Sequence, residues 1–135
     1  MLKYRHRLAK YFLEIEVVKL ISTLKNILKQ AVLGCQNVKH YPSNKNWASF
    51  FNINNTFIVE ISRVSMDNCF VNIYNFNDFQ NQILSKKATI EFEKIKFEDQ
   101  CLFNIDTKNA SQEIENYAYE IIGRVLDRFR GNKIT

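Results

Sequence analysis

The middle of this chain alternates apolar and polar residues in short segments, and this pattern constrains the fold more than any other feature. Residues two apart along a strand share one face, so Phe57, Val59 and Ile61 would line one side of a sheet. Most breaks between segments span only a few residues, too few for the crossover helix that parallel strands require. The pattern predicts an antiparallel meander of four to five strands, over Phe50–Ile53, Thr56–Val64, Cys69–Phe76, Ala88–Phe97 and Gln100–Asp106.

The same alternation predicts which side chains share a face in the later strands. Cys69, Val71 and Ile73 form one such set, and Cys101, Phe103 and Ile105 form another. The longest break, Asn77–Lys87, has room for a short helix or an open loop, and either Asn77 or Asp78 could cap such a helix.

Helices are predicted on both sides of these strands in the sequence. From Leu8 to Leu33, apolar residues recur every three or four positions, which predicts one long helix that ends at Gly34 with a positive φ. Leu13–Val17 alternates like a strand, but the longer helical period outweighs it. After the strands, Asn109 is predicted to open an amphipathic C-terminal helix that ends at Gly131, with Gln112 in capping-box register.

These elements make a single α+β domain over residues 1–135, with residues 1–10 as a basic arm that is either ordered or flexible. The proline-containing stretch Cys35–Lys45 lacks periodicity and is predicted to connect the first helix to the strands. A hydrophobic fraction of 46%, with eleven Phe and six Tyr, is enough to build a sizeable core.

Cysteine usage and charge spacing favour a cytoplasmic protein. The three cysteines are an odd number without a C-x-x-C pair, so they encode no disulfide framework, and a reducing compartment fits best. Glu14, Glu16 and Lys19 interrupt the apolar residues near the N-terminus, which argues against a secretory signal and against a membrane span.

Cofactor and metal motifs are not visible in the sequence. Its three glycines stand alone, which excludes a glycine-rich phosphate loop, and no G-x-S-x-G elbow is present. Cys35 and His40 are the only Cys/His pair near metal-site spacing, and two ligands are too few for zinc. No cofactor and no metal are therefore predicted.

One short motif suggests catalysis. Asp106-Thr107-Lys108 resembles the Asp/Glu-x-Lys half of the restriction-endonuclease-like nuclease core, in which the acid binds a metal and the lysine polarises the scissile phosphate. That resemblance implies an upstream acid, for which Asp78 and Asp99 are candidates, with Glu60 as a further ligand. Three residues do not assign a family, and a strand end followed by helix-capping residues explains the same letters.

Charge is sorted along the chain. Met1–Asn46 carries nine Lys/Arg and two Asp/Glu, Trp47–Glu120 carries six and eleven, and Ile121–Thr135 carries four and one. The three parts therefore bear +7, −5 and +3, which sum to the net +5. Basic ends around an acidic centre suggest an anionic partner or association between copies of the chain.

The leading hypothesis is a non-enzymatic binding module that docks an anionic partner, most plausibly nucleic acid, through the basic arm and first helix. Dipole compensation at a helix C-terminus is an alternative explanation for the arginines near the C-terminus, which would otherwise extend the surface. The candidate binding residues are Lys3, Arg5, Arg7, Lys10, Lys19, Lys25, Lys29, Arg124, Arg128 and Arg130.

Two alternatives stay open. The first is a protein–protein assembly subunit, in which a near-heptad seam on the long helix pairs with a second copy and makes a homo-oligomer. The acidic centre of one copy could then receive a basic end of its neighbour. The second alternative is a metal-dependent nuclease that uses Asp106 and Lys108.

Overall fold

A computed structural model describes residues 23–35, 38–41, 48–129 and 131–134, and the architecture is α+β. The strands form one sheet whose spatial order follows the chain. β1 to β6 pair as an antiparallel meander, and β7 joins β6 in parallel. The strands are β1 (Val38–Tyr41), β2 (Ala48–Ile53), β3 (Phe57–Ser65), β4 (Asn68–Asn75), β5 (Ala88–Lys94), β6 (Gln100–Asp106) and β7 (Gly131–Ile134). The helices within the described residues are α1 (Leu24–Leu33), α2 (Phe76–Gln80) and α3 (Gln112–Leu126).

The predicted meander is confirmed in β2 to β6, but the prediction of at most five strands is wrong. β1 lies in the stretch that was expected to be a connection, and β7 begins at Gly131, where the last helix was expected to end. Each of these strands has only four residues, which is too short to show a two-residue period. α3 supplies the crossover that the parallel β6–β7 pair needs.

The prediction of one continuous helix over Leu8–Leu33 is wrong, because the chain is not helical at Thr23. Thr23 has an extended ψ of 151°, and its hydroxyl accepts the backbone N–H of Asn26 at 3.4 Å, so a helix begins at Leu24. Gly34 has φ −75° instead of the predicted positive value. The part of the prediction that covers residues 8–22 lies outside the described residues.

The later helices also begin at caps other than those predicted. α3 begins at Gln112, because the Ser111 hydroxyl accepts the N–H of Ile114 at 3.2 Å, whereas Asn109 lies in the preceding turn. The predicted short helix after β4 is present as α2, and its N-cap is Asn75 rather than Asn77 or Asp78. Asn and Ser both suit this role, so the sequence alone offers several neighbouring candidates.

One face of the sheet is packed under α1 and α3. Phe51, Val59, Val71, Ile90 and Phe92 are fully buried on this helix-covered face. The predicted same-face sets in β3, β4 and β6 all belong to this core, with Ile105 partly buried at its margin, so those predictions are confirmed. The helices contribute Leu24, Ile27, Leu28, Ala31, Val32, Ile114, Tyr117, Ala118, Ile121, Ile122 and Val125.

The opposite face is covered only in part. The ring of Phe79 on α2 lies 5.3 Å from the ring of Tyr74 and 5.6 Å from that of Phe50, measured between centroids. These rings and Ile58 form a second, smaller core over β2 to β4. Among the described residues, no helix covers the remainder of this side, which we call the open face and which carries Glu60, Phe70, Glu91, Glu93, Leu102 and Asp106.

Two turns lie at the same end of the sheet, because β3 to β6 alternate in direction. The β3–β4 turn and the β5–β6 turn are joined by a hydrogen bond from the Lys94 N–H to the Asp67 carbonyl, 2.8 Å long. We call this the hairpin end. The connection from α2 to β5 lies at the other end of the sheet. Within the described residues, no helix has the length and apolar character needed to cross a membrane.

Replacing Phe92 with Ala should lower the free energy of unfolding by about 3–5 kcal/mol, because its ring is fully buried and its loss leaves a cavity. Urea denaturation followed by far-ultraviolet circular dichroism measures this change. The matched control is Phe97→Ala, whose ring is fully exposed and whose loss should change stability by no more than about 0.5 kcal/mol. Similar losses in both variants would contradict the described core.

Candidate anion-binding surface

Four of the ten predicted binding residues lie where the structure describes their side chains. Lys25 and Lys29 are on α1, and Arg124 and Arg128 are on α3. Arg128 lies just after the end of α3 and is exposed. The other six lie outside the described residues and are Lys3, Arg5, Arg7, Lys10, Lys19 and Arg130.

Lys25 lies close to two other positively charged side chains. Its pKa is lowered by partial burial first, and then by the neighbouring charges of Lys29, one helical turn away, and of Arg63 on β3. Lys29 and Arg63 therefore lie close enough to Lys25 for their charges to act on it through space. The structure therefore brings the predicted Lys25 and Lys29 together with a third cation.

Arg63 was missed by the sequence reasoning, although the strand alternation contains the signal. Arg63 continues the register of Val59 and Ile61 and pairs with Cys69, so it lies on the helix-covered face, just past the apolar core. Its guanidinium Nη1 lies 3.8 Å from the sulfur of Met66 in the β3–β4 turn. A basic residue in an apolar register position at a strand end marks the edge of the core.

Lys94 joins the same surface through β5. It pairs with Cys101, which is fully buried in the helix-covered core, so Lys94 also lies on that face at the hairpin end. The charges of Lys25 and Arg63 act to lower the pKa of the Cys69 thiol, and the charge of Lys94 acts to lower that of the Cys101 thiol. The Cys69 thiol also interacts electrostatically with Cys101. We call these four cations, Lys25, Lys29, Arg63 and Lys94, the basic cluster.

The basic cluster has acidic neighbours but no direct ion pair within the described part of the chain. Asp67 and Glu93 line the same surface pocket as Lys94. None of its four members forms an ion pair with a described carboxylate. Neighbouring like charges without counterions destabilise a fold and favour the binding of an anion. Such an arrangement is therefore a candidate binding site.

Arg124 lies apart from the basic cluster. Its Nε is 3.4 Å from Glu120 Oε1, and its Nη1 lies against Gly34, where an added Cβ would come within 2.9 Å. Gly34 follows the C-terminal end of α1, whereas Lys25 is in its first turn, about 14 Å away at 1.5 Å per residue. The carboxylate partner and the nearby carbonyls at the end of α1 give Arg124 a structural role.

The open face is acidic and polar. Glu60 Oε1 accepts hydrogen bonds from Asn72 Nδ2 at 3.0 Å and from the Tyr74 hydroxyl at 2.9 Å. Thr89 donates to Asn72 Oδ1 at 3.0 Å, which completes a chain of side chains across three strands. The pKa of Tyr74 is raised by burial and then by the charge of Glu60. This network holds Glu60 in place and orders the centre of the face.

Asp106 and Lys108, the residues that resemble part of a nuclease site, make a local contact with each other. Asp106 Oδ1 accepts the backbone N–H of Lys108 at 3.1 Å, as in a capping turn. Glu60 and Asp106 lie in one row across the sheet but three strands apart, about 14 Å at the usual strand spacing. The described residues contain no group of three or more His, Cys, Asp or Glu side chains arranged to hold a metal ion.

The three cysteines are buried as free thiols. Burial raises the pKa of Cys69 to about 11, although the nearby cations Lys25 and Arg63 oppose the shift. Burial likewise raises the pKa of Cys101 to about 11. Desolvation outweighs the positive charge at these two sites, so the thiols stay protonated at neutral pH and are poor nucleophiles.

The chain matches no protein-family model, no curated protein and no solved structure. The fold and the two charged surfaces therefore carry the functional argument by themselves.

Raised thiol pKa values predict a loss of stability at alkaline pH. The folded state holds the protons of Cys69 and Cys101 up to about pH 11, whereas unfolded thiols release them near pH 9. The stability that the two protonated thiols contribute is thus complete below pH 9 and is lost as the pH rises towards 11. Urea denaturation at pH 8, 9 and 10 measures the decline.

The control is the Cys69→Ala/Cys101→Ala double variant, which removes both thiols and should show a flatter dependence of stability on pH over this range. A decline equally steep in the double variant would assign the effect to other groups.

Proposed function

We propose that this chain is a non-enzymatic binding module that docks an anionic partner, with nucleic acid as the favoured class. The observation that supports the proposal is the basic cluster at the hairpin end, whose four cations have no described carboxylate partner. Lysine and arginine in a group neutralise phosphates and release the counterions condensed on them, which drives association.

Chain connectivity adds to this support. Residues 1–22 carry five Lys or Arg and two Glu, and they join the structure at Thr23, two residues before Lys25. The segment of residues 1–22 therefore connects to α1 at the same end that carries Lys25. A polyanion bound at the cluster would lie beside the attachment point of the arm, and both could contact phosphates together.

Neutralising two members of the basic cluster should weaken binding and its dependence on salt. The Arg63→Gln/Lys94→Gln variant removes two phosphate contacts, so the slope of log affinity against log salt should fall by about 1.5. Fluorescence anisotropy with a short labelled oligonucleotide, titrated at several salt concentrations, measures affinity and slope.

The matched control is Lys86→Gln/Lys108→Gln, which removes the same charge from the opposite end of the sheet. Equal effects of the two variants would show that net charge alone governs binding. The absence of any salt-dependent binding by the unmodified chain would exclude the proposal outright.

Association between copies of the chain is a second candidate, and the open face favours it. This face carries several carboxylates together with the partly exposed apolar side chains of Phe70 and Leu102. A surface that is acidic and partly apolar complements a basic, amphipathic segment, and residues 1–22 of another copy have that composition.

The near-heptad seam of the first helix is less suited to pairing between copies, because Leu24, Ile27 and Ala31 on α1 are buried in the core of their own chain. Residues 13–20 of that seam lie outside the described residues.

Reversing charge on the open face should dissociate such an assembly. The Glu91→Lys/Glu93→Lys variant would repel a basic segment, so light scattering should report a lower average mass than for the unmodified chain at the same low salt concentration. The comparison variant is Glu113→Lys/Glu115→Lys on the first turn of α3, away from the open face. A monomer at millimolar concentration in the unmodified chain would exclude association between copies.

A further inference from the structure

Phe97 is the most exposed large apolar residue among those described. Its side chain is 100% exposed, at the tip of the β5–β6 turn. The ring therefore contributes nothing to the core, and the fold offers no packing reason for an aromatic residue at this position.

The backbone at Phe97 adds a second observation. Its φ of 61° lies in the left-handed region, which is disfavoured for bulky side chains and is usually left to Gly, Asn or Asp. The β2–β3 turn of the same chain meets this demand with Asn54 and Asn55, at φ 51° and 55°. A phenylalanine at such a site is unfavourable for the turn, and strained positions of this kind concentrate at functional sites.

The surroundings of Phe97 are cationic on one side. Lys94, a member of the basic cluster, and Lys96 precede the ring in the same turn. Val64 and Met66 in the adjacent β3–β4 turn are 65% and 58% exposed, and Arg63 contacts Met66. Glu98 and Asp99 follow the ring and are exposed, and Asp67 lies in the adjacent β3–β4 turn, so a phosphate backbone would pass on the lysine side.

An exposed aromatic face beside lysines and arginine matches one kind of polyanion best. Unpaired nucleotides present both phosphates and free base faces, and a base that stacks on an aromatic side chain gains affinity with little dependence on sequence. The bases of a duplex are already stacked on one another, so they offer no free face to a ring at a turn tip.

We propose that the hairpin end binds single-stranded nucleic acid, with an unpaired base stacked on Phe97 and flanking phosphates held by Lys94, Lys96 and Arg63. This proposal rests on the proposed function and narrows its partner to single strands. Duplexes should bind through charge alone and therefore more weakly.

Anisotropy titrations with a labelled single strand, its duplex and a Phe97→Ser variant test the proposal. The unmodified chain should prefer the single strand, and Phe97→Ser should weaken single-strand binding about tenfold while duplex binding stays unchanged. Phe97→Tyr keeps the aromatic face and should retain most of the affinity. Leu84→Ser is the matched control, because Leu84 is 65% exposed in the α2–β5 connection at the other end of the sheet.

The outcomes separate this proposal from the one on which it rests. Equal affinity of Phe97→Ser and Leu84→Ser for the single strand, or equal affinity of the chain for both DNA forms, overturns the stacking role while the charge-based function stands. Absence of all oligonucleotide binding by the unmodified chain overturns both the stacking proposal and the proposed function. A chain that sediments with phosphatidylserine vesicles but binds no oligonucleotide has a lipid surface as its partner, and nucleic acid is then excluded.

Discussion

Burial of one sheet face under α1 and α3 is the constraint on which the rest of the structure depends. Side chains alternate between the two faces, so once Val59, Val71 and Phe92 point to the helices, the face of every neighbour is fixed. A slip of one residue would move this whole apolar set into solvent. The same constraint places Arg63 and Lys94 beside the helices and sends Glu91 and Glu93 to the open face.

Charge separation across the sheet follows from this register. The described carboxylates of β3 and β5 lie on the open face, whereas the cations of the hairpin end lie on the helix-covered side. Alternation of side chains along each strand keeps these two sets on opposite sides of the sheet. Within β3 and β5, strand register thereby sends the carboxylates to the open face and Arg63 and Lys94 to the helix-covered face.

The extent to which the fold could be predicted depends on segment length. Five strands and a C-terminal helix were visible because each repeats its apolar period several times. β1 and β7 were not, because four residues hold only two repeats and their pairing depends on long-range contacts. α1 begins at Leu24 because Thr23 caps it, and the spacing of apolar residues does not reveal which residue acts as the cap.

The candidate site was predictable only in part, for a related reason. Lys25 and Lys29 stand on one helix, so their spacing is readable, but Arg63 and Lys94 come from strands β3 and β5, which β4 separates. Only the register of β3 to β5 and the packing of α1 bring them together. Phe97 left no signal either, because exposure and a positive φ belong to the turn and not to the residue type.

Stability alone does not explain the hairpin end. Crowding of Lys25, Lys29 and Arg63 works against folding, and a fully exposed ring in left-handed backbone works against the turn, yet the two occur at the same end of the sheet. Elsewhere Arg124 has a carboxylate partner and asparagines occupy the β2–β3 turn, whereas Gln82 in the α2–β5 connection shares the left-handed backbone, with a φ of 61°. The neighbouring cations and the exposed Phe97 ring are explained together if one anionic partner binds at the hairpin end, neutralises the cations and stacks on the ring.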